Sequence, residues 1–392
     1  MSTRDKVLQE VLNINNYNVL LELPTGFGKT RLAIERTKKL KCKNILLIVN
    51  RVVHKDNWLQ EFDKWWKDRD VNITMTTYNS LPKYASNYDI IIVDEAHHLT
   101  ERCREILGSF TFKYSILLSA TINRELKDEL RRLFKNLYVY KKSLRNAIEE
   151  DVLPDPKVYL VPLNLEVGTP TEYIIKNKSA KGKAIESSWE KRFEYLKQRT
   201  SPIKIHCTPK QYLEDLNKQI DYWKKRYLNS KRSIAKNRWL QLCGERLKWL
   251  SDKKVPYVQN ILTHIGECRT LVFCNNIKQT ELLGEYCINS KNKKSVEYLK
   301  MFNEGKINHI TACNILNESM NLTNCQVGIY ANLNSSETII KQRTGRLLRH
   351  KNPVLIIPYF THTREKELIN KMLENYNPKL VYTVNNYKDI KI

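Results

Sequence analysis

The run Leu23-Pro24-Thr25-Gly26-Phe27-Gly28-Lys29-Thr30 ends an apolar stretch, NVLLEL over 18–23. Gly26 and Gly28 would let backbone N–H groups curl around phosphate oxygens, and a helix beginning near Lys29 would add the positive end of its dipole. Lys29 would neutralise the outer phosphates of a nucleoside triphosphate, and the Thr30 hydroxyl would ligate Mg2+. The whole loop, Pro24, Thr25 and Phe27 included, is expected to line the nucleotide. The general phosphate-loop pattern has Gly at position 23, where this chain has Leu.

Asp94 and Glu95 close a second apolar run, DIIIVDE over 89–95. Adjacent carboxylates repel, so the pair makes chemical sense beside a cation. Asp94 is expected to hold Mg2+ through water, and Glu95 to orient and deprotonate an attacking water. A third group stands far downstream. Gln342, Arg346 and Arg349 are spaced i, i+4, i+7 within Ser335–Arg349, so a helix there puts them on one face. Presented across a cleft, such arginines stabilise the charge that develops in phosphoryl transfer, an effect worth about 10³–10⁵ in rate. Gly345 would let that helix approach closely. Lys29, Glu95, Gln342, Arg346 and Arg349 form the expected catalytic set.

These side chains need strand ends to hold them. NVLLEL (18–23), NILLIVN (44–50), ITMTTY (73–78), DIIIVDE (89–95) and YSILLSA (114–120) read as buried strands separated by helix-like segments. RTLVFCN (269–275), HITACNIL (309–316), QVGIYAN (326–332) and PVLIIPYF (353–360) repeat the pattern. Such alternation marks a parallel sheet covered by helices. The expected fold is therefore α/β with two lobes, at 1–150 and 256–392, and a proline-containing crossover at 151–165.

Between them, 166–255 shows no strong strand run and carries 22 Lys and Arg against 10 Asp and Glu. Leu213, Leu216, Ile220, Trp223 and Tyr227, then Leu240, Cys243, Leu247 and Leu250, fit two amphipathic helices. Lys224, Lys225 and Arg226 lie off the apolar stripe. The formal charge of the 392-residue chain is +25, which points toward a polyanion. The basic helical insertion is expected to grip nucleic acid, with Trp189, Tyr212, Trp223, Tyr227, Trp239 and Trp249 as stacking candidates. The alternative is that the aromatics pack the helices together and the lysines face water. Nine cysteines without a Cys-x-x-Cys pair argue against a zinc module and for a reduced setting. The charged N-terminus lacks an apolar signal core, and no apolar run approaches the ~18 residues of a membrane span. A cytoplasmic location and no membrane partner are expected.

With these motifs in this order, the chain resembles a superfamily 2 helicase of the DExH class. Asp94-Glu95-Ala96-His97 is its DEAH motif, and the pattern is similar to the UvsW and XPB-like DNA helicases of phages and cells. The compact build suits a phage or mobile-element protein. The resemblance implies two RecA-like lobes with ATP and Mg2+ in the cleft between them. It implies hydrolysis coupled to strand separation, branch remodelling or translocation. His97 then matches the family's coupling histidine, and Ser119 and Thr121 the motif linking hydrolysis to strand movement. Gln342 matches the γ-phosphate sensor, and Arg346 and Arg349 the arginine fingers.

Nucleic-acid contacts implied by the resemblance are Asn50-Arg51, then Thr77-Tyr78-Asn79-Ser80-Leu81, and Asn275 at the end of Phe273-Cys274-Asn275. Short polar side chains at strand ends suit phosphate contacts. The family's fifth motif departs here: Glu318-Ser319-Met320-Asn321-Leu322-Thr323 has Asn321 where an aspartate is usual, which weakens its expected coupling to Arg346. For the adenine-reading glutamine, Gln9 is available, whereas an alignment anchored on Arg4 puts Val7 there. The expected partner is single-stranded or branched DNA, bound by a monomer. An RNA helicase and an ATP-gated nucleic-acid clamp are the alternatives.

Overall fold

The computed structural model describes residues 3–84, 87–165, 169–175, 182–197, 201–313, 322–333 and 350–392. The first lobe runs α1 (Thr3–Leu12), β1 (Asn18–Glu22), α2 (Lys29–Lys39), β2 (Asn44–Val49), α3 (Val53–Trp65), β3 (Asn72–Thr77), β4 (Asn87–Val93), α4 (Glu101–Gly108), β5 (Thr111–Ser119), α5 (Arg124–Leu133), β6 (Tyr138–Lys141) and α6 (Leu144–Glu149). Its six strands lie in the order β3-β2-β4-β5-β1-β6. Every pairing in this sheet is parallel.

The apolar runs follow from burial on both faces. Alternate residues of one strand enter different cores: Ile45 and Leu47 join Val19, Leu21, Ile90 and Ile92 on one face, while Leu46 and Ile48 join Leu20, Ile91 and Val93 on the other. The order also makes β4, β5 and β1 neighbours. Their C-terminal ends carry the DEAH motif, Ser119-Ala120-Thr121 and the phosphate loop, so the fold brings the three motifs together.

The second lobe begins at β7 (Lys157–Leu163), within the stretch read as a crossover. After an insertion it continues through β11 (Thr270–Phe273), α10 (Ile277–Leu283), β12 (Cys287–Ile288), α11 (Ser295–Asn303), β13 (His309–Ala312), β14 (Val327–Tyr330), β15 (Val354–Phe360), α12 (Glu365–Leu373) and β16 (Val381–Thr383). Its seven-stranded sheet has the order β12-β13-β11-β14-β15-β7-β16, again with parallel pairings. Among the described residues no helix is long and apolar enough to cross a membrane.

The insertion is more than a helix pair. It holds a three-stranded sheet, β8-β10-β9, of β8 (Thr171–Ile175), β9 (Ile185–Glu186) and β10 (Ile203–Cys207), with α7 (Arg192–Lys197) between the last two. These strands are short; β10 (IKIHC) alternates buried with more exposed residues and β8 and β9 are largely exposed, so they lack the continuous apolar run of the lobe strands. The helix pair is present as α8 (Pro209–Ser230) and α9 (Ser233–Ile265). Helix α8 opens on a Thr208/Gln211 capping box with Pro209 in the first turn.

Helix α9 passes through Pro256, across the boundary expected between the insertion and the second lobe. Proline removes a helical hydrogen bond and normally ends a helix. Here Val255, Val258, Ile261 and Ile265 bury in the second-lobe core, and that burial outweighs the local cost. The fully buried Lys254 donates to Glu365 Oε1 at 2.6 Å, tying α9 to the start of α12.

Candidate nucleotide site and nucleic-acid interface

Glycine dictates the shape of the phosphate loop. Gly26 (φ 87°) and Gly28 (φ 97°) both occupy the left-handed region that β-carbons disfavour. Gly28 is also the N-cap of α2, which has no side-chain cap and no acidic residue in its first turn. The N-terminal end of α2 therefore lies at the cleft with no acidic side chain to offset its dipole. Lys29 Nζ donates to the Leu23 carbonyl at 3.0 Å, and Thr25 Oγ1 is buried without a hydrogen-bond partner. An orphaned hydroxyl, an open helix end and a lysine at the loop mouth fit a polyphosphate.

The DEAH loop stands opposite. Asp94 Oδ2 accepts from Trp58 Nε1 at 2.9 Å, and Asp94 Oδ1 from the Glu95 amide at 3.0 Å. Burial and the neighbouring Glu95 hold the Asp94 carboxyl above its usual range, with Trp58, His54 and Lys29 pulling the other way. Two carboxylates this close fit a divalent cation. Glu95 is buried, with φ 51°. A non-glycine residue in that region costs about 1–2 kcal/mol. The Tyr78 hydroxyl lies 2.6 Å from the Asp94 carbonyl and 3.2 Å from that of Glu95. A buried hydrogen bond nets about 1 kcal/mol, enough to offset much of the strain.

His97 joins this loop to the end of β5. Ser119 Oγ donates to the Thr121 carbonyl at 2.9 Å and so offers a lone pair to His97 Nδ1 at 3.1 Å. That arrangement assigns the proton to Nδ1, which also lies 3.4 Å from Glu95 Oε2.

A cleft of about 850 Å3 contains these groups. Thr25–Thr30, Asp94 and Glu95 line it, together with Asp151–Pro154 and, from the second lobe, His350 and Lys351, whereas Pro24, expected with the loop, is buried and does not. Those two residues directly follow the arginine helix expected over Ser335–Arg349. Gln342, Arg346, Arg349 and Asn321 lie outside the described residues. Of the two α1 candidates for the adenine side, Val7 lines the cleft and Gln9 does not.

Helix α3 supplies a cleft wall that the motifs do not announce. His54, Trp58, Glu61 and Trp65 line the cleft, and Arg31 lies over the Trp65 ring at 4.3 Å. A signal exists in the sequence, since the spacing i, i+4, i+7, i+11 marks one helical face.

The expected strand contacts divide. Arg51 is exposed and Thr77 half-exposed, its hydroxyl donating to Ser80 Oγ at 3.3 Å. Asn275 Oδ1 accepts from Asn332 Nδ2 at 3.3 Å at the end of β11. Tyr78 is the exception, because its ring is buried and its hydroxyl serves the DEAH loop. It is a prop for that loop and not a surface contact.

On α8, Lys224, Lys225 and Arg226 are exposed. From Tyr222 to Gly244 the hairpin has seven Lys and Arg and no acidic residue. The aromatics pack against one another: Tyr173 stacks on Tyr212 at 4.2 Å, Tyr227 on Trp239 at 6.0 Å, and Arg192 covers Trp189 at 3.1 Å.

Residues 3–80 and 67–124 match the family described as type III restriction enzyme, res subunit. Residues 253–351 match the helicase conserved C-terminal domain. The DNA 3'-5' translocase XPB2 of Sulfurisphaera tokodaii is 22% identical over 357 residues, 85% of this chain and 75% of that protein. A putative helicase, 161L, of Invertebrate iridescent virus 6 is 30% identical over 38% of each chain. Among solved structures, S. cerevisiae Dbp5 bound to RNA and ADP BeF3 superposes with a TM-score of 0.56 at 11% identity, covering 98% of this chain and 89% of that one. The Pyrococcus furiosus Hef helicase domain gives 0.51 at 12% identity, covering 94% and 97%. At that identity the structures show the fold, two RecA-like lobes. The two family matches, one in each lobe, and the translocase relative show the rest: the chain belongs to the superfamily 2 helicases, ATP-dependent motors that act on nucleic acid.

Proposed function

We propose that this motor works on DNA, as a monomer, hydrolysing ATP in the interlobe cleft to separate, remodel or track along strands. One observation carries the reading of the site: groups from both lobes line a single cleft around Lys29 and Glu95. Lys29 and the α2 amides bind the β- and γ-phosphates. Thr30 and Asp94 would hold Mg2+, which supplies charge neutralisation of the phosphates when bound. Glu95 orients and deprotonates the attacking water, and His97 with Ser119 and Thr121 relays the state of the site to the strand. Gln342, Arg346 and Arg349 complete the γ-phosphate side, with Asn321 coupling them to the strand.

Arg51, Thr77 and Asn275 would contact phosphates across the two lobes. Lys224, Lys225 and Arg226 extend that track. Several of the insertion's aromatics are engaged with one another or with Arg192, which favours phosphate rows of a duplex over single-stranded bases as its target. The similarity to a DNA translocase supports DNA over RNA. Unwinding and ATP turnover on matched DNA and RNA forks, with wild type and Glu95→Gln, test the reading. DNA should stimulate turnover, and Glu95→Gln should bind ATP yet lose about 10²–10⁴ in rate. No stimulation by either nucleic acid would sink the motor; retained turnover would remove Glu95 as the base.

A further inference from the structure

The segment after β3 has two faces. Thr77 and Ser80 are half-exposed and Asn79 is exposed, while Tyr78 and Leu81 are buried. The outer face offers hydroxyls and an amide. The inner face sends a phenol to the carbonyls of Asp94 and Glu95 at 2.6 and 3.2 Å. The edge of that ring meets His98 at 6.4 Å, and His98 lies against His97 at 4.2 Å. His97 in turn faces Glu95 and Ser119.

We propose that Tyr78 is a positioning residue that carries occupancy of the Thr77–Ser80 face to Glu95, so that a bound strand fixes the left-handed conformation in which Glu95 serves the cleft. The inference rests on the reading of Glu95 as the base and of Thr77 as a strand contact. Its physical content is short range. Thr77 and Tyr78 are neighbours, so a phosphate that seats the outer face moves the phenol with it. Hydrogen bonds weaken steeply when misaligned, and a shift of a few tenths of an ångström changes the hold on the Glu95 backbone. Tight packing around the buried ring transmits such a shift instead of absorbing it.

Tyr78→Phe removes the hydroxyl and keeps the packed ring. The measurements are ATP turnover with and without saturating DNA, KM for ATP, and DNA affinity in the presence of a non-hydrolysable ATP analogue. The ratio of DNA-stimulated to DNA-free turnover should fall about tenfold, with KM and DNA affinity within about twofold of wild type. An unchanged ratio, even with both rates lowered equally, would overturn the proposal, because a mere fold support moves both rates alike. Ser80→Ala tests the outer face without disturbing the core. It should raise the DNA concentration giving half-maximal stimulation, and no change there would also overturn the proposal. A Glu95→Gln enzyme that turns over normally would show that the underlying reading had failed, separately from Tyr78.

Discussion

His97 Nδ1 stands 3.1 Å from Ser119 Oγ, joining the loop after β4 to the loop after β5. The same nitrogen lies 3.4 Å from Glu95 Oε2. One imidazole N–H therefore faces both the Glu95 carboxylate in the cleft and the segment that ends β5.

Removing the imidazole should separate the two activities. His97→Ala leaves Lys29, Thr30 and Asp94 in place, so ATP binding should persist within about threefold. Strand separation per ATP consumed should fall by about tenfold, the equivalent of one buried hydrogen bond to an ionisable group. Parallel assays of hydrolysis and unwinding on one DNA fork check this. Equal losses in both would place His97 in hydrolysis alone.

The basic tip should act through charge. Replacing Lys224, Lys225 and Arg226 together by Ala removes three exposed cations from a helix face that their loss should not unfold. For duplex DNA, the slope of log affinity against log salt should drop by up to about 2.7, at about 0.9 for each phosphate no longer neutralised. Single-stranded DNA should show a smaller change. Anisotropy titrations across a salt series measure both, and an unaltered duplex slope would assign these cations to solvent.

Arg192 Nη2 and Asp215 Oδ1 pair at 3.0 Å, with side chains 7% and 1% exposed. The pair pins the start of α7, beside the small sheet, to α8. Asp215→Ala should cost about 3–5 kcal/mol by leaving the guanidinium buried and unpaired. Chemical denaturation, with hydrogen exchange over 201–250, reads that loss. Burial holds the Asp215 carboxyl above its usual range despite Arg192. The folded state therefore binds that proton more tightly than the unfolded chain. The resulting stability is fully present below the unfolded value of about 3.9 and is lost as pH rises through the raised folded value. Asp215→Asn should remove that decline.

Residue order alone determined the two α/β lobes and marked out Lys29, Thr30, Asp94 and Glu95, which line one cleft. Long apolar runs such as NILLIV can be satisfied only in a sheet covered on both faces, and glycines at 26 and 28 serve a left-handed loop. Both signals are local and strong. The tertiary structure decided what depends on distant neighbours. Proline ordinarily ends a helix, and it is the second-lobe core around Val258 and Ile261 that keeps α9 intact through Pro256. The short strands β8–β10 have no pattern strong enough to declare themselves until they pair. Tyr78 and Trp58 look like ordinary aromatics in sequence. Packing turns the phenol toward the Asp94 and Glu95 carbonyls and the indole toward the Asp94 carboxylate, since only β2 separates β3 from β4 in the sheet.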